Sequence, residues 1–417
     1  MNSYLKKHAF TGPIISDIPT ENLQIFVVIP CFNETSLIPV FESLANCMIP
    51  GVAVEVLAVV NSSIESDAEI KECNRKCLNE ADEWISSYSR PGNLKFYTTH
   101  FPELPKKHAG VGLARKIGMD EAVRRFEYLD TDGVIVNLDV DCTVSENYLT
   151  AIHDFFQFSK SDACSIHFEH PIEGVSKDIE QAIVQYELYL RYYIHMQELI
   201  GFPWAFQTIG SAMAVRSSVY QAQGGMNKRK AGEDFYFLQK VIELGNFENL
   251  EHAVVYASPR KSDRVPFGTG KAVNDITSGD GKYLVYAPES FEQLQVLFAS
   301  VDSFFEAGKE QVTAILNGLP QALRTYLSLW GVEEKLAQIN SFTTSPDAFR
   351  KRFFREFNAF QLMKYLHWMR DEYFANVEIG SGLNYLFPKL HIERKESLVK
   401  DLITFREFDK SKSKSIT

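Results

Sequence analysis

Four short runs of β-branched and apolar residues, each separated from the next by a stretch of helix length, constrain this chain more than any other feature. They are "IFVVIP" (25–30), "VEVLAVVN" (54–61), "LKFYTTH" (94–100) and "VIVNLDVD" (134–141). Most are near-continuous in apolar character rather than alternating, which marks strands covered on both faces. Helix-like stretches such as "TSLIPVFESLANC" and "DAEIKECNRKCLNEADEWISSYS" lie between them. The pattern predicts an α/β fold, a mostly parallel sheet flanked by helices.

The next segment is mixed. A strand-like "ACSIHFEH" (163–170) precedes a helix expected over 179–200, and "TIGSAMAVR" and "HAVVYASP" read as further strands. From residue 288 the character turns helical. This gives an expected division into a sheet domain, 1–287, and a helical C-terminal region, 288–417. In "PDAFRKRFFREFNAFQLMKYLHWMRDEYF", Phe349, Phe353, Phe357, Phe360 and Met363 recur at helical spacing and predict one core-facing stripe. Arg350, Lys351, Arg352 and Arg355 between them form a basic face. The tail "DKSKSKSIT" is expected to fray.

A net charge of −11 argues against a general nucleic-acid binder. Six scattered cysteines show no zinc spacing. Cys73 and Cys77 share a helix face, and a reducing, cytoplasmic setting is the expectation. No run is apolar and long enough to span a membrane. The N-terminus lacks the apolar core of a secretory signal, so the sequons at Asn33 and Asn61 are read as chance.

Chemistry concentrates in four places. Asp139 and Asp141 end the fourth run. On a regular strand, residues i and i+2 point the same way. Two such carboxylates repel unless a cation lies between them or a proton is shared. A metal, a structural ion pair and solvent exposure each remain open at this point. A hard divalent cation, Mg²⁺ or Mn²⁺, prefers such oxygens and suits a diphosphate. "KKHAGVGLARKIGMDEAVRRF" (106–126) predicts a helix whose Ala114, Ile117, Gly118, Ala122 and Phe126 share a face. Lys106, Lys107 and Arg115 bring positive charge to its start. In "GGMNKRKAGEDFYFLQKV" (224–241), Glu233 and Asp234 open a helix whose buried positions are Phe237, Leu238 and Val241. They serve either as capping acids or as a general base. "SPRKSDRVPFGTGKA" (258–272) lacks Walker A spacing and is expected to be a mobile loop closing over a phosphate-bearing ligand.

In order, "VVIPCFNE", "GVGLARKIGMDEA", "LDVD" and "GGMNKRKAGEDFYF" resemble the motifs of family 2 glycosyltransferases of the GT-A fold, over residues 25–270. Lys116 stands where that family usually has asparagine. The resemblance implies a UDP- or GDP-sugar donor and a Mn²⁺ or Mg²⁺ ion. It places Pro30, Phe32, Glu34 and Asn61 around the nucleoside, Arg115 at the pyrophosphate, and Asp139 at the ribose and metal. Asp141 would bind the metal and Asp234 would be the catalytic base of an inverting transfer. Asn61 replaces the usual aspartate, which leaves the nucleobase open. No third metal ligand is evident, since "YASPRKSDR" offers only Ser258 and Asp263. The implied acceptor is a glycan, a lipid-linked sugar or a small molecule. The helical region has three candidate roles: covering the acceptor, forming a homodimer, or peripheral contact with the inner face of a membrane. A nucleotidyltransferase and a non-catalytic nucleotide-sugar binder are the competing readings; "PCFNETS" lacks the glycine-rich loop that the former needs.

Overall fold

The computed structural model describes residues 2–89, 93–264 and 266–412. In chain order it begins with α1 (Ser3–His8), β1 (Leu23–Cys31), α2 (Ile38–Ala45), β2 (Ala53–Ser63), α3 (Ala68–Ser87), β3 (Leu94–Leu104), α4 (Val111–Tyr128), β4 (Val134–Asn137), β5 (Cys142–Val144), α5 (Tyr148–Phe158) and β6 (Ala163–Glu169). After α6 (Lys177–Leu199) come β7 (Met213–Arg216), α7 (Ser217–Ala222), α8 (Glu233–Ile242), β8 (Phe247–Ala257) and α9 (Thr269–Ser278). The rest is β9 (Leu284–Val285), α10 (Pro288–Ser300), α11 (Lys309–Asn317), α12 (Gln321–Trp330), α13 (Val332–Ser341), α14 (Pro346–Glu356), α15 (Ala359–Glu372), β10 (Val377–Glu378), α16 (Ile379–Lys389) and α17 (Leu398–Ser411).

The expected α/β class holds. One eight-stranded sheet runs β3-β2-β1-β4-β7-β6-β8-β5. The β3-β2-β1-β4 half is parallel throughout, and β6 pairs with β8 in parallel. β7 is antiparallel to both β4 and β6, and β5 is antiparallel to β8. From β1 the chain moves outward to β2 and β3, then returns to place β4 on the other side. The topological switch therefore falls between β1 and β4, where such sheets open a ligand crevice beyond their carboxyl ends.

Two expectations need correction. β4 stops at Asn137, so Asp139 and Asp141 do not ride on a strand pleat. They belong to a turn, closed by Cys142 N donating to Asp139 O at 3.1 Å, that leads into β5. α4 buries charge along its length and not only the apolar face expected of it. Arg115, Lys116, Asp120, Glu121 and Arg125 are all buried on it. Each is paired, as buried charge requires. Arg125 grips Glu55, and Glu121 accepts from Ile14 N and Ile15 N at 3.1 and 3.2 Å. Lys116 lies 3.1 Å from Asp120, which also accepts from the Tyr4 and Tyr220 hydroxyls at 2.8 and 2.9 Å. Lys116 is thereby committed to holding α1 against α4.

The described chain forms two compact units. The first comprises residues 1–175, 208–271 and 409–417; the second comprises 176–207 and 272–408. The units thus divide the chain elsewhere than at residue 287, and α6 belongs with the later helices. In the second unit Glu187 on α6 is buried between Arg191, 3.0 Å away, and Arg406 of α17, 2.6 Å away.

The aromatic stripe of 346–374 is broken. Asn358 caps a new helix by accepting from Gln361 N at 3.1 Å, so α14 and α15 are separate. Phe349, Phe353 and Phe357 are buried as expected. The change of direction turns Phe360 out to solvent and buries Leu362, Tyr365, Leu366 and Met369 in its place. Of the tail expected to fray, Asp409 to Ser411 continue α17, and residues 413–417 lie outside the described residues.

Candidate functional site

The C-terminal ends of β1, β2 and β4 carry the expected polar residues, all within the first unit. β1 runs through Pro30, which is buried, and ends at Cys31. Phe32 is half-buried, Asn33 takes a left-handed φ of 52°, and Glu34 is enclosed. Asn61 near the end of β2 is also buried. Its carbonyl accepts from Asn74 Nδ2 at 3.0 Å, while Asn74 Oδ1 accepts from Asn33 N at 2.8 Å. Asn74, on α3, therefore stitches the β1 loop to β2; nothing in the sequence singled it out. The Asn61 side-chain Nδ2 is itself buried without a hydrogen-bond partner.

Arg115 joins two motifs that lie far apart in the chain. Its guanidinium donates to Asp139 Oδ1 at 2.6 Å and to Glu233, the residue that opens α8. Burial pulls its pKa down, but the carboxylates of Asp139, Glu233 and Asp234 outweigh that and hold it above its usual value. Close packing makes this contact possible. A Cβ on Gly112 would lie 2.3 Å from the Arg229 carbonyl, and one on Gly210 would lie 2.5 Å from the Arg115 guanidinium. The glycines of "GVG" and "TIG" are therefore spacers for backbone approach.

Asp234 sits in the first turn of α8. Its Oδ2 accepts from Gly210 N at 3.0 Å and its Oδ1 from Phe235 N at 2.8 Å. Burial pushes its pKa up against the pull of Arg115, and burial does the same to neighbouring Glu233. Phe237, Leu238 and Val241 are buried as the helical spacing predicts.

The loop after β8 supplies the remaining cations. Arg260 donates to both oxygens of Glu34 and lies 2.8 Å from Asp141 Oδ2. Arg264 donates to Glu34 and to the Phe32 carbonyl, the latter at 2.8 Å. This loop was expected to close over a ligand; its Val265 lies outside the described residues. Lys106 bonds instead to Glu65, at 2.7 Å. Cys77 lies with its sulfur 4.0 Å from that of Cys31, and none of the six cysteines is in a disulfide.

Whether a divalent ion suits this site turns on its donors and its charge. Among the described residues, no group of three or more His, Cys, Asp or Glu side chains could hold one. Asp139 and Asp141 each direct one oxygen to a guanidinium, Oδ1 and Oδ2 respectively. Five carboxylates, of Glu34, Asp139, Asp141, Glu233 and Asp234, gather around the guanidiniums of Arg115, Arg260 and Arg264. Burial, then the Asp139 charge, raises the pKa of Asp141. A diphosphate would deepen this excess of negative charge. Two carboxylates fit a small hard cation whose remaining positions are filled by phosphate and water.

No family model matches the chain, and no curated protein matches it. Solved structures align with it distantly. S. aureus TarS 1–349 in complex with UDP is 14% identical, covers 80% of this chain and 92% of its own, and superposes with a TM-score of 0.39. The same fragment in complex with UDP-GlcNAc gives 14%, 80%, 90% and 0.38. GalNAc-T7 with UDP, GalNAc and Mn²⁺ is 15% identical, over 59% of this chain and 47% of its own, with a TM-score of 0.36. Likeness at this distance fixes neither family nor activity, so the chemistry must be read from the residues. Among the described residues, no helix is long and apolar enough to cross a membrane.

Proposed function

We propose that the chain is a glycosyltransferase of the family 2 type. It would move a hexose from a UDP- or GDP-sugar to an acceptor hydroxyl with inversion at the anomeric carbon. One observation carries this reading. The switch point between β1 and β4 gathers Asp139 and Asp141, the Arg115 that links Asp139 to α8, and Asp234 at the start of that helix. The order of the four sequence motifs supports it.

Arg115 and Arg260, held by carboxylates at the crevice, would meet the diphosphate of the donor. Phe32, Asn61 and the buried Pro30 would border the nucleoside. The unpartnered Nδ2 of Asn61 is a donor for an acceptor atom on it. Asp139 and Asp141 would hold a divalent ion, which offsets the negative charge on the departing diphosphate. Asp234 would take the proton of the acceptor hydroxyl as its oxygen bonds to the anomeric carbon. The bond from that carbon to the diphosphate breaks, and the nucleoside diphosphate leaves. The raised pKa of Asp234 suits a proton acceptor whose hydrogen bonds from Gly210 and Phe235 fix its carboxylate in place.

The test is a melting-temperature screen of UDP- and GDP-sugars with Mn²⁺, followed by a transfer assay. Bound nucleotide should raise the melting temperature. Asp234→Asn should keep nucleotide binding and lower turnover about a thousand-fold. Full turnover in that variant, or no nucleotide that stabilises the protein, would overturn the reading.

A further inference from the structure

The second unit holds a cluster of tyrosines, four of which make no hydroxyl hydrogen bond to another described residue. Tyr186, Tyr189 and Tyr193 recur at i, i+3 and i+7 on α6, so they share one helix face. Tyr283 and Tyr286 flank β9, and His367 comes from α15. The rings form a continuous array. Centroids lie 4.9 Å apart for Tyr189–Tyr283, 6.0 Å for Tyr189–Tyr193, 6.1 Å for Tyr193–Tyr286 and 5.9 Å for Tyr286–His367. Tyr189, Tyr193, Tyr283 and Tyr286 are all half-buried.

Half-buried tyrosines ordinarily find a partner for the hydroxyl. Others in the same unit do. Tyr192 donates to the Tyr286 carbonyl at 2.7 Å, Tyr365 to the Ser290 carbonyl at 2.9 Å and Tyr385 to Glu292 at 2.7 Å; Tyr326 accepts from Gln361 at 2.6 Å. Among the described residues, the hydroxyls of Tyr189, Tyr193, Tyr283 and Tyr286 make no such bond. Burial raises the pKa of all four, so they remain neutral donors. Two cations nearby are already matched: Arg370 is bidentate on Asp371 at 2.7 and 3.0 Å, and Lys282 is 2.5 Å from Glu378.

These features define the ligand. Aromatic faces take an apolar surface, and a row of unused hydroxyls takes hydrogen-bonding groups. Paired charges give no preference for an anion or a cation. A pyranose ring presents both an apolar C–H face and peripheral hydroxyls, with no charge. We propose that this cluster, which lies within the second unit, binds a neutral glycan.

The full chain would be titrated by calorimetry with chitohexaose, cellohexaose, maltohexaose and mannohexaose, and separately with UDP and GDP. At least one hexasaccharide should bind. Tyr189→Ala should weaken it about tenfold, the scale of one lost aromatic contact. Tyr193→Phe keeps the ring and should weaken it about fivefold by losing one hydrogen bond. If Tyr189→Ala does not fold, the phenylalanine variant carries the test alone. Binding of none of the four sugars, or undiminished binding in the folded variants, overturns the proposal. Glycan binding without nucleotide binding would support this site and sink the donor reading instead.

Discussion

Glu34 is almost enclosed by protein, and an enclosed carboxylate tends to keep its proton. Burial does push its pKa upward, but the hydrogen bonds from Arg260 and Arg264 outweigh that, and the value settles below the ordinary 4.5. The sign of its pH dependence follows. The unfolded chain takes up this proton before the folded one does. The stabilisation is therefore present above 4.5 and is lost as the pH falls through the depressed value. Glu34→Gln should cost about 2 kcal/mol at neutral pH, the scale of hydrogen bonds to a charged group. Urea midpoints for the parent and the variant should converge on going from neutral pH down through the depressed pKa of Glu34, below which both side chains are neutral. An equal gap on both sides of that value would show that the guanidiniums do not stabilise Glu34 through its charge.

At the level of elements, what the sequence revealed and what it hid have physical reasons. β1, β2 and β4 were readable because strands buried on both faces need near-continuous apolar residues. The Phe237, Leu238 and Val241 face of α8 was readable from helical spacing. The end of β4 was not. Leu138 and Val140 are as buried as strand residues, yet they line a turn, and burial alone does not distinguish the two. The site residues Asp139, Asp141, Arg115 and Asp234 were visible as motifs, but their ion pairs were not. Arg115 reaches Glu233 across 118 positions and Arg260 reaches Glu34 across 226, separations that carry no local pattern. The break between α14 and α15 was hidden by a stripe of phenylalanines that continues past it. Its cause is one side chain, Asn358, accepting from Gln361 N. Asn358→Ala should therefore destabilise the chain by about 1 kcal/mol in urea unfolding, the usual cost of losing such a cap. No loss would mean that packing of Phe357 and Leu362, rather than the cap, sets the break.

At the scale of the whole chain, the two units are interleaved. The backbone passes between them after residues 175, 207, 271 and 408, so no single cut separates them. α6 is the clearest case. Its sequence lies between sheet strands, but its partners come from the C-terminal helices. Tyr192 meets the Phe291 ring at 6.2 Å, Arg406 closes on Glu187, and Phe202 just beyond the helix meets Phe354 at 6.0 Å. A chain cut after residue 287 would keep α6 and lose all three. Glu187 would keep Arg191 but lose the second guanidinium that balances its burial, and apolar surface on the helix would meet water. Isolated helices of this length are marginal without a packed face. Amide exchange across 177–199 should then approach unfolded rates in the truncated chain, while the β1 and β2 amides stay protected. Equal protection of both would show that α6 folds with the sheet unit, and that the C-terminal helices are an addition to it rather than the other half of its core.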